Sequence, residues 1–398
     1  MATLLFRLST WPKAAADFLE EWDNLDIQNF TFQTSGTTGP SKQITLHREQ
    51  ITAAAISSQI PLGWQEGQRM GLALNASGIG GKMVLVRGRC YNMEVIPLEL
   101  RLQPDHETLL ARGTEDWTGY LDHLSLVPVQ ALTLLRHWAQ HQIDPSTRVG
   151  TLLLGGGPVP TDLERFLAED HPWKTRQGPS SFRIVQGLGM TETAGHFALR
   201  TLYPVWERAY TPLPGIQYQL EPLDPDDLDD PDGRGILVIS GAVTNHQPLV
   251  TREIVQRGAQ PGQIEWVGRA DLVIQSGGHT LLVDEIEREM RRILYSSSPT
   301  PALNPWKFLA GTDWFLGPWA DPVWGERVTL CIPLGLWRSL ADAGVWKTLK
   351  AKDWSGFLPT SSWPRAIAPV PSSCFDQPGK TIRISIPVSG LEGPLTLG

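Results

Sequence analysis

A loop of glycine and hydroxyl residues between two short strand-like segments constrains this chain more than any other feature. Residues 29–33 (NFTFQ) and 43–47 (QITLH) alternate in polarity and are rich in aromatic or β-branched residues, which predicts strands. Between them stands Thr34-Ser35-Gly36-Thr37-Thr38-Gly39-Pro40-Ser41-Lys42. Gly36 and Gly39 allow a close approach of the backbone to a ligand, and the hydroxyl groups, amides and Lys42 suit a polyphosphate.

This loop differs from the Walker A motif. That motif carries a Gly-Lys pair and leads into a helix, whereas here Lys42 follows Pro40 and Ser41 and precedes a strand-like segment. The composition also suits an ordinary surface hairpin loop. The residues alone therefore leave two interpretations open, a phosphate-binding loop and a surface turn.

Further along the chain, strand-like and helix-like patterns alternate. Residues 121–127, 151–156 and 182–187 are apolar strand-like runs. A helix is expected to begin at Pro128, which suits a first helical turn. Another is expected near residue 161, where Thr161 or Asp162 suits a helix N-cap. This alternation predicts an α/β architecture with a partly parallel sheet.

A second, smaller domain is expected after Gly268. Residues 272–294 read as strand, turn, strand and helix, and residues 295–325 are rich in Pro and Trp, which predicts an irregular insertion. The expected domains are residues 1–268 and residues 269–398.

Composition excludes several classes of protein. The formal net charge of -8 over 398 residues argues against a nucleic-acid binder, because phosphate backbones require clustered Lys and Arg. The three cysteines are far apart, so a disulfide framework or zinc ribbon is not expected. The apolar N-terminal stretch lacks a preceding basic region and is a poor signal peptide, and no run reaches the ~20 apolar residues of a membrane span. We expect a cytoplasmic protein.

The loop at residues 34–42 resembles the signature of the adenylate-forming superfamily, [ST]-S-G-[ST]-T-G-x-P-K, with the proline and its neighbour exchanged. That superfamily includes acyl-CoA synthetases and adenylation domains. The resemblance implies a large N-terminal domain of mixed sheets and helices and a smaller mobile α+β C-terminal domain. It also implies a set of residues that bind the β- and γ-phosphates of ATP. These are Thr34, Ser35, Gly36, Thr37, Thr38, Gly39 and Lys42.

Two glycine-rich segments follow in the superfamily's order. Residues 187–193 (GLGMTET) resemble its Y-G-x-T-E motif, with Leu188 where an aromatic residue often stacks on adenine. The resemblance places Gly187, Gly189, Met190 and Thr191 at the adenylate. It gives catalytic roles to Thr191 and to Glu192, which would hold Mg²⁺. Gly156, in the Gly-rich turn after residues 151–154, is expected beside the adenylate as well. In isolation Glu192 could equally be a solvated residue, and the Gly-rich run a tight turn.

Three further motifs complete the resemblance. Glu253, in VTREIV, occupies the position of the superfamily's ribose-binding acid. In GRAD, Arg269 is expected to contact the ribose or phosphate, and Asp271 to act as the hinge of the C-terminal domain. Lys380, in PGKTIR, is expected to be the catalytic lysine that contacts the acid and the α-phosphate. In isolation Arg269 could form a surface salt bridge, and Lys380 could be a solvated charge.

Within the superfamily, residues 79–87, 125–130 and 191–200 most resemble short o-succinylbenzoate–CoA ligases, which serve menaquinone and phylloquinone synthesis. The resemblance implies that Arg87 binds the carboxylate of the substrate that does not react, since a guanidinium suits bidentate pairing. Lys82, His196 and Gly189 are further substrate-site candidates. The implied activity is an ATP-dependent acid–thiol ligase with Mg²⁺ and coenzyme A. A homodimer is one option for its assembly.

Three other functions stay open at this point. The chain could activate another aryl or acyl acid, load a phosphopantetheine carrier protein, or bind an adenylate without catalysis. The presence of Lys380 and Glu192 argues against the last of these. A P-loop kinase is disfavoured by the strand-loop-strand pattern and the missing Gly-Lys pair.

Overall fold

A computed structural model describes residues 5–34, 42–100, 114–117, 119–168, 182–223, 233–295, 301–375 and 395–397. The strands are Leu5–Leu8 (β1), Asn29–Gln33 (β2), Gln43–His47 (β3), Arg69–Leu72 (β4), Glu94–Leu100 (β5), Thr114–Asp116 (β6), Leu121–Leu126 (β7), Val149–Leu154 (β8), Arg183–Met190 (β9), Gly195–Tyr203 (β10), Thr211–Pro212 (β11), Gln217–Glu221 (β12), Arg234–Ser240 (β13), Leu249–Arg257 (β14), Ile264–Arg269 (β15), Val273–Ser276 (β16), His279–Leu282 (β17), Phe315–Asp321 (β18), Gly325–Pro333 (β19), Ala366–Val370 (β20) and Leu395–Thr396 (β21).

The α-helices are Lys13–Asp23 (α1), Arg48–Ser57 (α2), Gln59–Leu62 (α3), Ile79–Cys90 (α4), Pro128–Gln140 (α5), Thr161–Ala168 (α6), Val283–Leu294 (α7) and Leu334–Asp342 (α8). Short 3-10 helices span Pro145–Thr147, Thr191–Thr193, Ala242–Thr244, Pro301–Leu309, Val345–Thr348, Ala351–Trp354, Thr360–Ser362 and Ser372–Phe375. None of the helices in these ranges is long and apolar enough to cross a membrane.

The largest sheet has the strand order β11-β10-β9-β8-β7-β4-β5-β1-β6. Its centre, from β5 through β4, β7 and β8 to β9, is parallel, and its edges are antiparallel. All residues of β8 are buried, which is typical of parallel strands covered on both faces. The α5 helix begins at Pro128 as expected. The α/β prediction is confirmed.

Helices cover both faces of this sheet. Successive residues of a strand point to opposite faces. Accordingly, Leu153 packs in one apolar cluster with residues of α2 and α4, while Leu152 and Leu154 pack in another with residues of α5 and α6. The sheet therefore holds α2 and α4 together on one face, beside the ends of β9 and β10.

The remaining strands form three smaller units. The β2–β3 hairpin stands alone, β12 to β15 form an antiparallel sheet, and β16 to β21 form a further sheet. The strand β15 ends at Arg269 and β16 begins at Val273 in a different sheet. The predicted domain boundary between residues 268 and 269 lies close to this change from one sheet to the next, and it stays a prediction.

The prediction of an irregular insertion at residues 295–325 is wrong for most of this segment. Residues 301–309 form a 3-10 helix, and β18 pairs antiparallel with β19, with Leu316 opposite Leu330. The indoles of Trp306 and Trp314 are buried in the apolar core that packs on α7. The tryptophans in this segment supply core volume, which the density of Pro and Trp in the sequence does not reveal.

The start of α7 also differs from its sequence pattern. Asp284 and Glu287 suggest a capping box, but α7 begins at Val283 without a side-chain cap. Asp284 instead accepts a hydrogen bond from the backbone N–H of Arg269 at 3.2 Å, and Glu287 accepts one from that of Leu316 at 2.7 Å. Both carboxylates thus connect α7 to neighbouring strands.

Candidate functional site

The expected phosphate loop begins and ends on a closed hairpin. The strands β2 and β3 pair along their full length, with Gln33 opposite Gln43. The backbone N–H of Thr34 donates to the carbonyl of Lys42 at 2.8 Å, and the N–H of Lys42 donates to Oγ1 of Thr34 at 2.9 Å. The two predicted strands that flank the loop are confirmed. Residues 35–41 and Lys380 lie outside the described residues, so their roles stay predictions.

A tight turn joins β9 to β10 and carries the GMTET motif. The 3-10 turn Thr191–Thr193 is followed by Ala194 in the left-handed conformation, at φ +51°. The buried hydroxyl of Thr193 lies 2.7 Å from the carbonyl of Gly195 and accepts from the N–H of Met190 at 3.3 Å. Hydrogen bonds of the buried Thr193 side chain therefore hold the turn in this conformation. Thr191 and Glu192 lie half-buried at its tip.

Gly189 in this motif has a packing requirement of its own. A Cβ at Gly189 would lie 2.1 Å from the carbonyl oxygen of Gly195 and 2.3 Å from Cα of His196. Both are backbone atoms of the neighbouring strand, so a side chain cannot be accommodated. The backbone of β10 thus explains this glycine without a ligand, and the expected contacts of Gly189 with cofactor and substrate stay predictions.

Arg87 lies inside the protein beside this turn. It is 3% exposed, and a Cβ built on Gly195 would lie 3.8 Å from its Nη2. Its guanidinium carbon lies 5.1 Å from the ring centre of Trp64. Burial lowers the pKa of Arg87 to about 10, so the side chain is still charged at neutral pH. Among the described residues Arg87 forms no ion pair, and its Nε has no hydrogen-bond partner.

His196 is the polar neighbour of Arg87. Its Nδ1 lies 3.3 Å from Nη2 of Arg87, and its Nε2 lies 2.7 Å from Oγ of Ser58. Burial, together with the charge of Arg87, holds the pKa of His196 well below its ordinary value. The imidazole is therefore neutral. Two of the predicted substrate residues, Arg87 and His196, meet in one buried cluster.

Lys82 lies elsewhere. Its Nζ is 5.0 Å from the ring centre of Phe18 and 4.9 Å from that of Phe32, so the ammonium lies over two aromatic rings. Arg87 follows Lys82 by five positions, which turns the two side chains about 140° apart on an α-helix. The structure therefore does not bring Lys82 together with Arg87 and His196, and its substrate role stays a prediction.

Glu253 lies in the antiparallel sheet and is buried. Its Oε2 accepts from Nε1 of Trp266 at 2.7 Å, and its Oε1 accepts from Nη1 of Arg269 at 3.1 Å. Burial raises the pKa of Glu253, and the charges of Asp271 and Glu192 raise it further, while Arg269 and Trp266 oppose the shift. Glu253 and Glu192 are thus close enough to interact electrostatically.

Arg269 and Asp271 form the junction between β15 and β16. Nε and Nη2 of Arg269 donate to the two carboxylate oxygens of Asp271 at 2.8 and 2.9 Å. Arg252 donates to the same carboxylate at 2.8 Å. The expected surface salt bridge and the expected ligand-binding role are both compatible with this pairing. The structure brings Glu253, Arg269 and Asp271 together as one ion-paired group, and the hinge role of Asp271 stays a prediction.

The Gly-rich turn after β8 lies against β9. Gly156 has φ +80°, and Nε2 of Gln186 donates to the carbonyl of Gly157 at 3.3 Å. Oε1 of Gln186 accepts from Tyr210 at 2.9 Å and from Nε of Arg200 at 2.8 Å. The turn therefore lies beside the strand that carries Gly187, and the adenylate contacts of Gly156 and Gly187 stay predictions.

Sequence reasoning missed four residues of this region: Ser58, Trp64, Gln186 and Trp266. Each of them contacts a predicted site residue or the backbone beside one. The two partners of each contact are far apart in sequence or lie on two different strands. Ser58 and His196, for example, are 138 positions apart. No local motif marks these four residues, and co-variation among relatives is the signal that could have found them.

Comparison with known proteins agrees with this arrangement. Residues 20–246 match the family described as AMP-binding enzyme. The 2-succinylbenzoate–CoA ligase of Bacillus licheniformis is 33% identical over 181 residues, which are 46% of this chain and 33% of that protein. The ligase of the same name from a Geobacillus species is 28% identical over 305 residues, or 70% and 56% of the two chains. This chain thus spans between a third and just over half of these relatives' length.

Solved structures are similar as well. An acyl-CoA synthetase (AMP-forming)/AMP-acid ligase II-like protein from Dyadobacter fermentans shares 28% identity, with 90% of both chains covered and a TM-score of 0.51. The o-succinylbenzoate CoA synthetase of Bacillus subtilis, in complex with its acyl-adenylate intermediate, has a TM-score of 0.60 at 19% identity, covering 85% of this chain and 64% of that one. The latter likeness concerns the fold. With more than half of its residues matched to the family, this chain belongs to the AMP-binding enzymes.

Proposed function

We propose that this protein is an ATP-dependent ligase that converts 2-succinylbenzoate into 2-succinylbenzoyl-CoA through an acyl-adenylate, in menaquinone or phylloquinone biosynthesis. The observation that carries the proposal is the buried cation of Arg87, which has no anionic partner among the described residues and lies beside the GMTET turn. The names of the curated relatives support the same substrate.

Burying a guanidinium without an anionic partner costs free energy of folding. Such a side chain is therefore expected where a bound anion pairs with it. The substrate 2-succinylbenzoate carries two carboxylates. One of them reacts, and the other needs a fixed cation inside the protein. The guanidinium of Arg87 lies over the ring of Trp64 and is oriented by Nδ1 of His196, and its planar fork matches a carboxylate.

In the first half-reaction, an oxygen of the succinyl carboxylate attacks the α-phosphorus of ATP. The bond from that phosphorus to the bridging oxygen breaks, and pyrophosphate leaves. Thr34, Lys42 and the loop between them hold the β- and γ-phosphates, and Glu253 accepts hydrogen bonds from the ribose hydroxyls. Lys380 contacts the reacting carboxylate and the α-phosphate, where it stabilises the charge of the transition state.

Mg²⁺ fits the carboxylate at the tip of the GMTET turn. The described residues contain no group of three or more His, Cys, Asp or Glu side chains that could hold a metal ion on their own. Mg²⁺ commonly binds through one or two carboxylates together with substrate phosphates. Glu192, half-buried and electrostatically coupled to Glu253, would hold the ion against the triphosphate and so reduce its negative charge.

In the second half-reaction, the thiol of coenzyme A attacks the acyl carbon of the adenylate. The bond to AMP breaks, AMP leaves, and the thiol proton passes to solvent. In our proposal the C-terminal domain rotates about Asp271, which withdraws Lys380 and admits the thiol. The enzyme's own cysteines take no part.

The test is pyrophosphate release with MgATP and a panel of acids, with and without coenzyme A. The panel contains 2-succinylbenzoate, its analogue without the aromatic carboxylate (4-oxo-4-phenylbutanoate), benzoate and a fatty acid. We expect preferential turnover of 2-succinylbenzoate, with 4-oxo-4-phenylbutanoate used only at a much higher KM, thioester formation only with coenzyme A, and loss of pyrophosphate release in Lys380→Ala. Turnover of a different acid alone would overturn the substrate while retaining adenylation. Transfer only to a phosphopantetheine carrier protein would indicate a carrier-loading enzyme, and no turnover would indicate a non-catalytic protein.

A further inference from the structure

Ser58 is a buried hydroxyl that no sequence motif marks. It follows the last residue of α2, is fully buried, and contacts two groups. Its Oγ lies 3.2 Å from the carbonyl of Ala54, one helical turn earlier, and 2.7 Å from Nε2 of His196 on β10. A serine hydroxyl has one proton to donate. The tautomer of the imidazole therefore determines which of these two groups accepts the proton of Ser58.

Arg87 determines that tautomer. A guanidinium can only donate hydrogen bonds, so Nδ1 of His196, 3.3 Å from Nη2, must accept. Since the imidazole is neutral, its single proton then lies on Nε2. Nε2–H donates to Oγ of Ser58, and the hydroxyl of Ser58 donates to the carbonyl of Ala54. The chain of hydrogen bonds runs in one direction, from Arg87 through His196 and Ser58 to Ala54.

This direction has a consequence for Arg87. Without the Ser58 acceptor, the buried Nε2–H of His196 loses its partner. The ring would then gain by rotating its Nε2–H toward another acceptor, and that rotation removes the acceptor that orients Nη2 of Arg87. The contact with Trp64 constrains only the distance between the guanidinium and one ring face. The orientation of the donor edge of Arg87 therefore depends on Ser58.

We propose that Ser58 is a positioning residue for carboxylate recognition, acting through His196 on Arg87. This rests on the proposed role of Arg87 as the partner of the unreactive carboxylate of the substrate. Ser58 would touch no substrate atom. It would set the apparent affinity for an acid that carries this second carboxylate, and leave ATP binding unaffected.

The chain offers a matched control in the preceding residue. Oγ of Ser57 also lies close to the carbonyl of Ala54, at 3.1 Å, and the described residues show no contact of Ser57 with His196. Ser57→Ala therefore removes the same kind of helical hydrogen bond without touching the relay. Ser58→Thr keeps a hydroxyl at the relay position and serves as the conservative variant.

The kinetic test compares wild type, Ser57→Ala, Ser58→Ala and Ser58→Thr. We expect Ser58→Ala to raise KM for 2-succinylbenzoate about tenfold, the ratio expected from the loss of one buried hydrogen bond. KM for ATP and KM for 4-oxo-4-phenylbutanoate, which lacks the second carboxylate, should stay unchanged. Ser57→Ala should match wild type, and Ser58→Thr should restore most of the affinity.

A spectroscopic readout tests the relay without turnover. In ¹⁵N-labelled protein, His196 should carry its proton on Nε2 in wild type, and in Ser58→Ala the chemical shifts of this Nε2–H should move toward those of an N–H that has lost its hydroxyl acceptor. A wild-type KM for 2-succinylbenzoate in Ser58→Ala, an equal rise of all three KM values, or a proton on Nδ1 in wild type would overturn the positioning role. Failure of the wild-type protein to use 2-succinylbenzoate would instead overturn the proposed function, and the positioning role with it.

Discussion

Nη2 of Arg87 lies 3.3 Å from Nδ1 of His196 in the interior of the large sheet domain, where the cation meets a neutral ring and no carboxylate of the described residues. Such an arrangement costs stability in the free protein and becomes favourable when an anion binds. If Arg87 binds the second carboxylate of the substrate as proposed, the Arg87–His196 pair connects protein stability to substrate recognition.

Replacement of Arg87 should separate these two effects. In Arg87→Met we expect KM for 2-succinylbenzoate to rise about 100-fold, because a charged hydrogen-bonding partner of the buried carboxylate is lost. The free energy of unfolding without substrate should rise by about 1 kcal/mol, since an unpaired buried charge is replaced by an apolar chain. Kinetics and denaturant unfolding measure the two quantities.

Arg89 supplies the control for that experiment. It lies on the same helix, and its guanidinium forms an exposed ion pair with Asp23 at 2.8 Å. Arg89→Met should change neither KM nor stability by more than a small amount, since exposed ion pairs contribute little. An unchanged KM for 2-succinylbenzoate in Arg87→Met would contradict the role of Arg87.

Glu253 should act on the nucleotide and not on the acid. In Glu253→Gln, one of the two acceptors that face Trp266 and Arg269 becomes a donor, so the side chain can no longer satisfy both partners. We expect KM for ATP to rise about tenfold while KM for the acid stays constant. The control is Glu265→Gln on β15, whose carboxylate accepts from Gln256. A change in the acid's KM alone would refute the ribose assignment.

Gly189 should not tolerate a side chain. In Gly189→Ala the new methyl would overlap the carbonyl of Gly195, a backbone atom of β10 that cannot move without breaking the β9–β10 pairing. We expect the free energy of unfolding to fall by about 3 kcal/mol. Gly155→Ala, where no atom lies within 4 Å of the added carbon, should be far milder. If thermal unfolding showed equal losses of stability in Gly189→Ala and Gly155→Ala, the short distance between Gly189 and Gly195 would not be what excludes a side chain.

Buried His123 predicts a loss of stability in acid. Burial is the main reason that its pKa falls from 6.5 to about 4; Arg183 lowers it further, and Asp122 opposes the shift. Between these values the unfolded chain binds the proton and the folded chain does not. Stability is therefore complete above pH 6.5 and declines as the pH falls toward 4, by on the order of 3 kcal/mol from this residue. His196, whose pKa is also lowered, adds in the same direction.

The measurement is denaturant unfolding between pH 4 and 7. His123→Gln keeps a donor for Oε1 of Gln68, which lies 3.0 Å from Nε2 of His123, and removes the titrating group. We expect a smaller decline with falling pH than in wild type. Exposed His279, changed to Gln, should leave the decline as it is. An identical pH dependence in His123→Gln and wild type would contradict the assignment.

Local patterns in the sequence determined much of this protein. The hairpin around the Gly/Ser/Thr loop, the helix start at Pro128 and the α/β alternation follow from hydrophobic periodicity and turn chemistry, which act over a few residues. The resemblance of these motifs to those of the adenylate-forming superfamily likewise predicted Arg87, His196, Glu253 and Arg269 as site residues, and their roles stay predictions.

Only the tertiary structure decided which side chains meet. It brought Ser58 to His196, and it turned Lys82 away from Arg87 onto the rings of Phe18 and Phe32. Near the C-terminus, it made an ordered core of the segment around Trp306 that the sequence marked as irregular. These outcomes depend on packing and hydrogen bonds between residues far apart in sequence, whose partners become defined only when the sheets and helices have assembled.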